Sequence, residues 1–170
     1  MPVTPYPWIA SIGAFGIDSG VYGLMNTAWG WPIAEAVHFI GICLLFAAVG
    51  MFDLRMIGLA RGVSMAALHR LIPIGVAGFL LCAVTGLMFV LSAPFEYIQN
   101  PAWQIKMALM ALAGVNMIVF YHTVAGAISM LPADAAAPPA ARIFAAVSLG
   151  SWIGVIVCGR VITAFRPFVQ

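Results

Sequence analysis

The sequence contains very little charge. Five acidic and seven basic side chains, 7% of 170 residues, compare with about 25% charged residues in a typical soluble domain. So few charges cannot cover the surface of a water-soluble domain of this length. The seven bases are also scattered, so they form no patch of the kind that binds nucleic acid. The composition therefore excludes a soluble enzyme and a nucleic-acid-binding domain, and predicts an integral membrane protein with a single domain, residues 1–170.

Cysteine is scarce as well. Each of the three cysteines, Cys43, Cys82 and Cys158, lies in an apolar run, where a thiol behaves as a small apolar side chain. The sequence lacks the C-x-x-C-H motif that attaches a c-type haem covalently. We therefore expect neither structural disulfides nor covalently attached haem.

Hydrophobic residues make up 64% of the sequence, and most of them lie in four long apolar runs. A helix needs about 20 residues to cross the hydrocarbon core of a bilayer, and each run is that long. The predicted spans are residues 32–52, 64–93, 101–131 and 142–165. Within residues 1–30, apolar side chains three and four apart predict a short interfacial helix. The predicted fold is an all-α four-helix transmembrane bundle with this short N-terminal interfacial helix.

The basic residues predict the orientation of the bundle in the bilayer. The side reached by the first span has four bases: Arg55, Arg61, Arg70 and Arg142. The opposite side has three: Lys106, Arg160 and Arg166. Because cytoplasmic loops are enriched in bases, the cluster after the first span predicts that this side is cytoplasmic and that both termini of the multi-pass protein are periplasmic.

Two histidines are predicted to lie at similar depth near the cytoplasmic side. His69 begins the second span and His122 lies near the end of the third. Because these helices run antiparallel, the two levels differ by roughly 7 Å. Paired imidazoles can serve as the axial ligands of a b-type haem, and Arg70 and Arg142 are placed to bind its propionates. The sequence thus predicts a haem b site. The alternative is that each histidine only snorkels or hydrogen-bonds to a neighbouring helix.

A second polar group lies towards the periplasmic end of the first span. Glu35 and His38 are three residues apart, so both project from one helix face. Glu-x-x-His is a metal-binding pattern in helical bundles and predicts a metal site at Glu35 and His38. The alternative is an ion pair between Glu35 and Lys106 or Arg160, since an unpaired carboxylate is costly in a membrane.

Smaller polar and glycine patterns concern how the helices pack. Asn116 and Thr123 share a face of the third span, which predicts hydrogen bonds to a neighbouring helix. Gly150 and Gly154 form a G-x-x-x-G pair in the fourth span. This pair predicts either close packing within the bundle or an oligomer face.

Several short motifs follow one another in a fixed order along the chain. They are Pro32-Ile33-Ala34-Glu35-Ala36-Val37-His38, Asp53-Leu54-Arg55, Asn100-Pro101, Lys106, Asn116, Phe120 and His122. In this order they resemble an uncharacterised family of bacterial four-helix inner-membrane proteins, which implies the fold but no activity. More distantly, the layout is similar to cytochrome b561-like and copper-resistance D-like membrane proteins. The sequence departs from the b561 pattern, because none of its three histidines lies in the fourth span, so the resemblance does not imply a two-haem arrangement.

Three functions are compatible with these features. The leading hypothesis is a b-type haem-binding membrane subunit that transfers electrons within a larger redox complex, with other membrane or periplasmic redox subunits as partners. The second is a non-catalytic accessory or anchoring subunit with structural histidines. The third is a metal or small-solute handling protein that uses Glu35 and His38. None of these hypotheses requires the chain to be catalytic alone.

The predicted orientation can be tested with reporter fusions. A reporter that is active only in the periplasm, fused after Gln170, is expected to be active, and the same reporter inserted in the Pro132 to Ala141 linker is expected to be silent. The physical reason is the arginine cluster after the first span. A silent reporter after Gln170 together with an active reporter in the linker would show that the orientation is the inverse of the predicted one.

Overall fold

The computed structural model describes residues 6–129, 131–132 and 135–165, without the side chains of Ala66 and Ser129. These residues form the helices α1 (Pro7–Asp18), α2 (Val21–Met25), α3 (Gly30–Ile57), α4 (Met65–His69), α5 (Ile72–Ser92), α6 (Pro94–Ile98), α7 (Pro101–Thr123), α8 (Ala125–Ser129) and α9 (Pro139–Val161). A 3-10 helix, Ile162–Phe165, follows α9. Arg166, which enters the predicted charge balance, lies outside the described residues.

Four helical segments are long and apolar enough to cross a membrane. They are Gly30–Ile57, Ala67–Ser92, Pro101–Thr123 and Pro139–Phe165. In the most apolar part of each segment, only 11 to 22% of the residues are buried inside the chain, so most of their apolar surface faces lipid. The predicted all-α, four-span fold is confirmed, and the protein is a multi-pass membrane protein in contact with the bilayer.

All four spans differ from their predicted bounds. The first, predicted as residues 32–52, extends to Ile57, and the fourth, predicted as residues 142–165, begins at Pro139. The other two are interrupted. The second, predicted as residues 64–93, consists of α4 and α5, with a break at Arg70 and Leu71. Pro73 lies at the start of α5, where its missing N–H costs no hydrogen bond. The third, predicted as residues 101–131, ends at Thr123, and α8 follows a turn at Val124. A helix of 31 residues would be about 46 Å long, well beyond the ~30 Å hydrocarbon core, so the turn adjusts the span to the bilayer.

The predicted N-terminal helix is present, and a second short helix follows it. Gly20, between α1 and α2, has a φ of 78°, a left-handed conformation that glycine adopts without strain. Both helices pack against α5 outside the four spans. The large apolar side chains of α1 include Trp8 and Phe15, which are exposed, as expected for a helix that lies in the membrane interface.

The closest contact between two spans joins α3 to α5. A Cβ atom added to Gly41 would lie 2.8 Å from the carbonyl oxygen of Gly78, and one added to Gly78 would lie 2.6 Å from the carbonyl oxygen of Gly41. Any side chain at either position would collide with backbone. The two glycines therefore allow the helix backbones to touch, as small residues do in membrane bundles.

The four spans do not close into a symmetric bundle. The long helices form three extensive pairs, α3 with α5, α7 with α9, and α3 with α9; α5 and α7 are not among the extensively packed pairs of the described chain. We call the end of the bundle where α4 joins α3 to α5 the α4 end, and the end where α6 joins α5 to α7 the α6 end. The side between α5 and α7 is therefore less extensively packed than the other three sides.

The two ends also differ in their cores. At the α4 end, a large buried cluster joins α3, α4, α7, α8 and α9, and includes Met56, Phe120 and Ala145. At the α6 end, the buried cluster of Met25, Ala34 and Phe89 joins α2, α3 and α5, and Tyr97 of α6 packs against it. The α3–α5 pair and the α7–α9 pair therefore share a buried apolar core at the α4 end, whereas the cluster described at the α6 end contains residues of the α3–α5 pair and not of α7 or α9.

The predicted contacts of the third and fourth spans are found in part. The Asn116 amide donates to the carbonyl oxygen of Phe144 at 3.0 Å, so it bonds to a neighbouring helix as predicted. The Thr123 hydroxyl donates to Val119 in its own helix, so the predicted contact between helices is wrong for this residue. Gly154 makes room for Leu109 of α7, whereas Gly150 faces open space, so only Gly154 serves packing inside the bundle.

Arg55 is buried, although the sequence places it among the loop bases. It is 1% exposed. Its Nε donates to the carbonyl oxygen of Val63 at 3.0 Å, and Nη2 donates to the carbonyl oxygens of Pro132 at 3.3 Å and Ala135 at 3.2 Å. Arg55 thus joins the loop after α3 to the linker before α9. Its neighbour Asp53, 5% exposed, faces Ser148 of α9 and joins α3 to α9.

We expect Arg55→Ala to lower the free energy of unfolding by about 3 kcal/mol, because the substitution removes a buried charged side chain and the donor to three partly buried carbonyl groups. Arg61→Ala, in the same loop but exposed, is the matched control and should have little effect. The measurement is unfolding of the purified protein in mixed micelles by increasing mole fractions of sodium dodecyl sulfate, followed by circular dichroism. Equal unfolding midpoints for the two variants would show that the contacts of Arg55 do not stabilise the fold.

Candidate functional site

His69 and His122, the predicted haem ligands, lie on different surfaces of the α4 end. Both are exposed. Phe120 is buried and its ring contacts Phe52 and Phe144, whereas His122, two residues later, lies about 200° further around α7. His69 contacts Phe52, with ring centroids 6.0 Å apart. The aromatic core thus lies between the two histidines, and the structure does not bring them together.

The two arginines predicted to meet haem propionates are exposed as well. Arg142 donates from Nε to the carbonyl oxygen of Ala137 at 3.0 Å, so it stabilises the linker that leads into its own helix. Arg70 lies at the break between α4 and α5. Their positions favour roles at the membrane surface.

His38 has the most developed surroundings of the three histidines. It is half-buried, and its Nδ1 lies 2.7 Å from the hydroxyl oxygen of Thr85 on α5. The Thr85 hydroxyl donates to the carbonyl oxygen of Leu81 at 2.6 Å. Because a hydroxyl has one proton, the bond to His38 is assigned with Nδ1–H as donor and the Thr85 oxygen as acceptor. In the neutral ring, Nε2 then has a lone pair and no proton.

Three further polar groups lie near His38 at the α6 end. The Lys106 ammonium interacts electrostatically with His38, Cys82 and Cys158. The Cys82 thiol is 3.5 Å from the carbonyl oxygen of His38. We call His38, Cys82, Thr85, Lys106 and Cys158 the polar cluster. All four spans contribute to it, and its members other than the buried Thr85 are half-buried.

Aromatic rings cover the polar cluster on the α3–α5 side. Trp31 stacks on Phe89 with centroids 5.5 Å apart, and Phe89 stacks on Tyr97 at 6.2 Å. The His38 and Phe89 rings form a T-shaped contact with their centroids 5.5 Å apart. This contact and the bond to Thr85 fix the orientation of the imidazole.

Glu35, the other half of the predicted metal site, lies beside the polar cluster but is exposed. It precedes Asp53 by 18 residues, which is about five helical turns, so it lies on the side of α3 that faces α9. Within the described part of the chain, Glu35 forms no ion pair with Lys106 or Arg160. The same residues contain no group of three or more histidine, cysteine, aspartate or glutamate side chains that could hold a metal ion.

The sequence analysis did not identify Thr85 or Cys82 as part of a site. The depth of Thr85 in the bilayer could have identified it. His38 lies eight residues after the start of α3 and Thr85 seven residues before the end of α5, so both lie about 10 to 12 Å from the α6 end of the bundle. Matching the depths of polar residues on antiparallel spans would have paired them.

Comparisons with known proteins do not extend this description. No protein-family model, curated protein or solved structure matches the chain. The resemblance drawn from the sequence motifs stays a prediction.

The hydrogen bond between His38 and Thr85 can be tested with Thr85→Val, which keeps the side-chain shape and removes the oxygen. We expect a loss of about 1 to 3 kcal/mol in unfolding free energy, because Nδ1–H becomes a buried donor without an acceptor. The ¹⁵N chemical shifts of His38 should also move away from those of a pure Nδ1–H tautomer. Thr123→Val is the control, since its hydroxyl bonds only within its own helix. Unchanged His38 shifts in Thr85→Val would contradict the assignment.

Proposed function

We propose that this protein is a membrane subunit that binds one b-type haem through His38 and takes part in electron transfer within a larger redox complex. The supporting observation is the hydrogen bond from His38 Nδ1 to Thr85, which leaves Nε2 of a half-buried imidazole free to bind iron. Histidines that bind metals commonly donate their other ring N–H to an oxygen in this way. The haem, when bound, supplies one-electron chemistry.

His69 has a comparable hydrogen bond, from Nδ1 to the carbonyl oxygen of Met65 at 2.9 Å. Two differences favour His38. The His69 ring is exposed at the α4 end, on the short helix α4. His38 faces the interior of the bundle, with the Lys106 cation close by.

The sparse ligand set favours haem over a bare metal ion. A bound zinc or copper ion takes three or four ligands from the protein, and no group of three candidate ligands occurs in the described chain. Haem iron receives four ligands from its porphyrin and needs only one or two from the protein. An isolated, oriented histidine therefore suits haem.

The packing of the spans favours an approach from the bilayer between α5 and α7. These two helices are not among the extensively packed pairs of the described chain, unlike α3 with α5, α7 with α9, and α3 with α9. In the polar cluster, His38, Cys82, Lys106 and Cys158 are half-buried, so they are not sealed inside the bundle. A porphyrin inserted from the bilayer would meet His38 and the Lys106 cation, which suits a propionate.

The proposal predicts a haem spectrum that depends on His38. The wild-type protein, purified after expression with ample haem, is expected to show a Soret band that His38→Ala abolishes, because the ligating nitrogen is lost. With one imidazole ligand, the ferrous haem is expected to be high-spin and to bind carbon monoxide. His69→Ala and His122→Ala are the matched controls and should keep the band.

The other results would each reject this proposal. A low-spin spectrum lost in both His69→Ala and His122→Ala would place the haem between those residues, as the sequence analysis predicts. Stoichiometric metal without haem, lost in His38→Ala, would favour metal handling. A colourless wild-type protein without metal would favour the accessory-subunit hypothesis.

A further inference from the structure

Lys106 is a half-buried cation that the function proposed above does not require as an iron ligand. It lies five residues after the start of α7, about 8 Å along the helix. Its Nζ would lie 3.7 Å from a Cβ atom added to Gly159 of α9. This is an ordinary contact distance, so the ammonium group lies against α9 beside Gly159.

The groups around this ammonium do not balance its charge. Its electrostatic neighbours are His38, Cys82 and Cys158, and none of them is a carboxylate. Lys106 forms no ion pair with an acidic side chain of the described residues, and Glu35 on α3 is exposed. A cation inside a membrane bundle is costly without a counter-charge.

We propose that Lys106 recognises a carboxylate of an amphipathic ligand that enters the polar cluster from the bilayer. The cluster offers such a ligand the Trp31–Phe89–Tyr97 stack beside His38 and the positive charge of Lys106, at the end of a bundle in which α5 and α7 are not extensively packed. This inference deepens the proposed function, since haem is an apolar molecule with two propionate carboxylates. It extends to other apolar carboxylates, because an ammonium group recognises charge and not the rest of the molecule.

The test compares ligands with and without the carboxylate. Apoprotein in lipid nanodiscs is titrated with haem and with haem dimethyl ester, and binding is followed by the Soret band. We expect the wild-type protein to bind haem at least tenfold more tightly than the ester. Lys106→Gln should remove this preference, and Lys106→Arg should keep it. Arg160→Gln removes an exposed cation at the same end of the bundle and should keep it as well.

A second pair of probes separates this inference from the haem proposal. cis-Parinaric acid and its methyl ester are titrated against the same variants, with quenching of tryptophan fluorescence as the measurement. If neither haem compound binds, the proposed function fails; a preference for the free acid that Lys106→Gln removes and Arg160→Gln keeps would still support carboxylate recognition. The inference would be overturned if wild type and Lys106→Gln preferred the free acid to the ester to the same extent. It would also be overturned if the wild type showed no such preference with either pair of probes.

Discussion

The backbone contact between Gly41 and Gly78 determines how the rest of the bundle is arranged. Lipid cannot drive two helices together through the hydrophobic effect, so close packing has to supply the attraction. Here the absence of both side chains lets α3 approach α5 until added Cβ atoms would collide with backbone. Cys82 lies at this contact, and Thr85 lies one helical turn further along α5. The approach therefore brings His38 within hydrogen-bond distance of Thr85. The geometry of the candidate site therefore depends on two residues that have no functional groups.

The fold was largely predictable, because its main determinant is composition. Four apolar runs require four spanning helices in a medium that cannot bond to an exposed backbone. The positions of the breaks within the spans were harder to predict from the sequence. The turn at Val124 and the separation of α4 from α5 interrupt apolar segments without a change in composition, and only Pro73 gave a local signal. Arg55 shows the same limit, since an arginine after a span is equally compatible with an exposed loop and with the buried contacts it makes.

The sequence predicted which histidine of the candidate site is unusual, but not the residues that contact it. His38 was recognised as unusual from its depth and its spacing to Glu35, but its structural partner is Thr85 and not Glu35. The reason is the rotation of α3: residues 35 and 38 are adjacent on the helix surface, yet the α5 contact at Gly41 includes His38 and excludes Glu35. The pairing of His69 with His122 rested on depth alone. Depth gives the level of a residue in the bilayer but not the direction in which it points around its helix.

The buried contacts of Arg55 have a consequence for the order of events during synthesis. Two of its acceptors, Pro132 and Ala135, follow it by 77 and 80 residues. At about 5 to 20 residues per second, a ribosome needs roughly 4 to 16 s to make that stretch. In the later part of this interval α3 and α5 are already synthesised, whereas the carbonyl groups of Pro132 and Ala135 do not yet exist. The contacts between Arg55 and the linker can therefore form only after the first helix pair is complete, when the fourth span is about to follow.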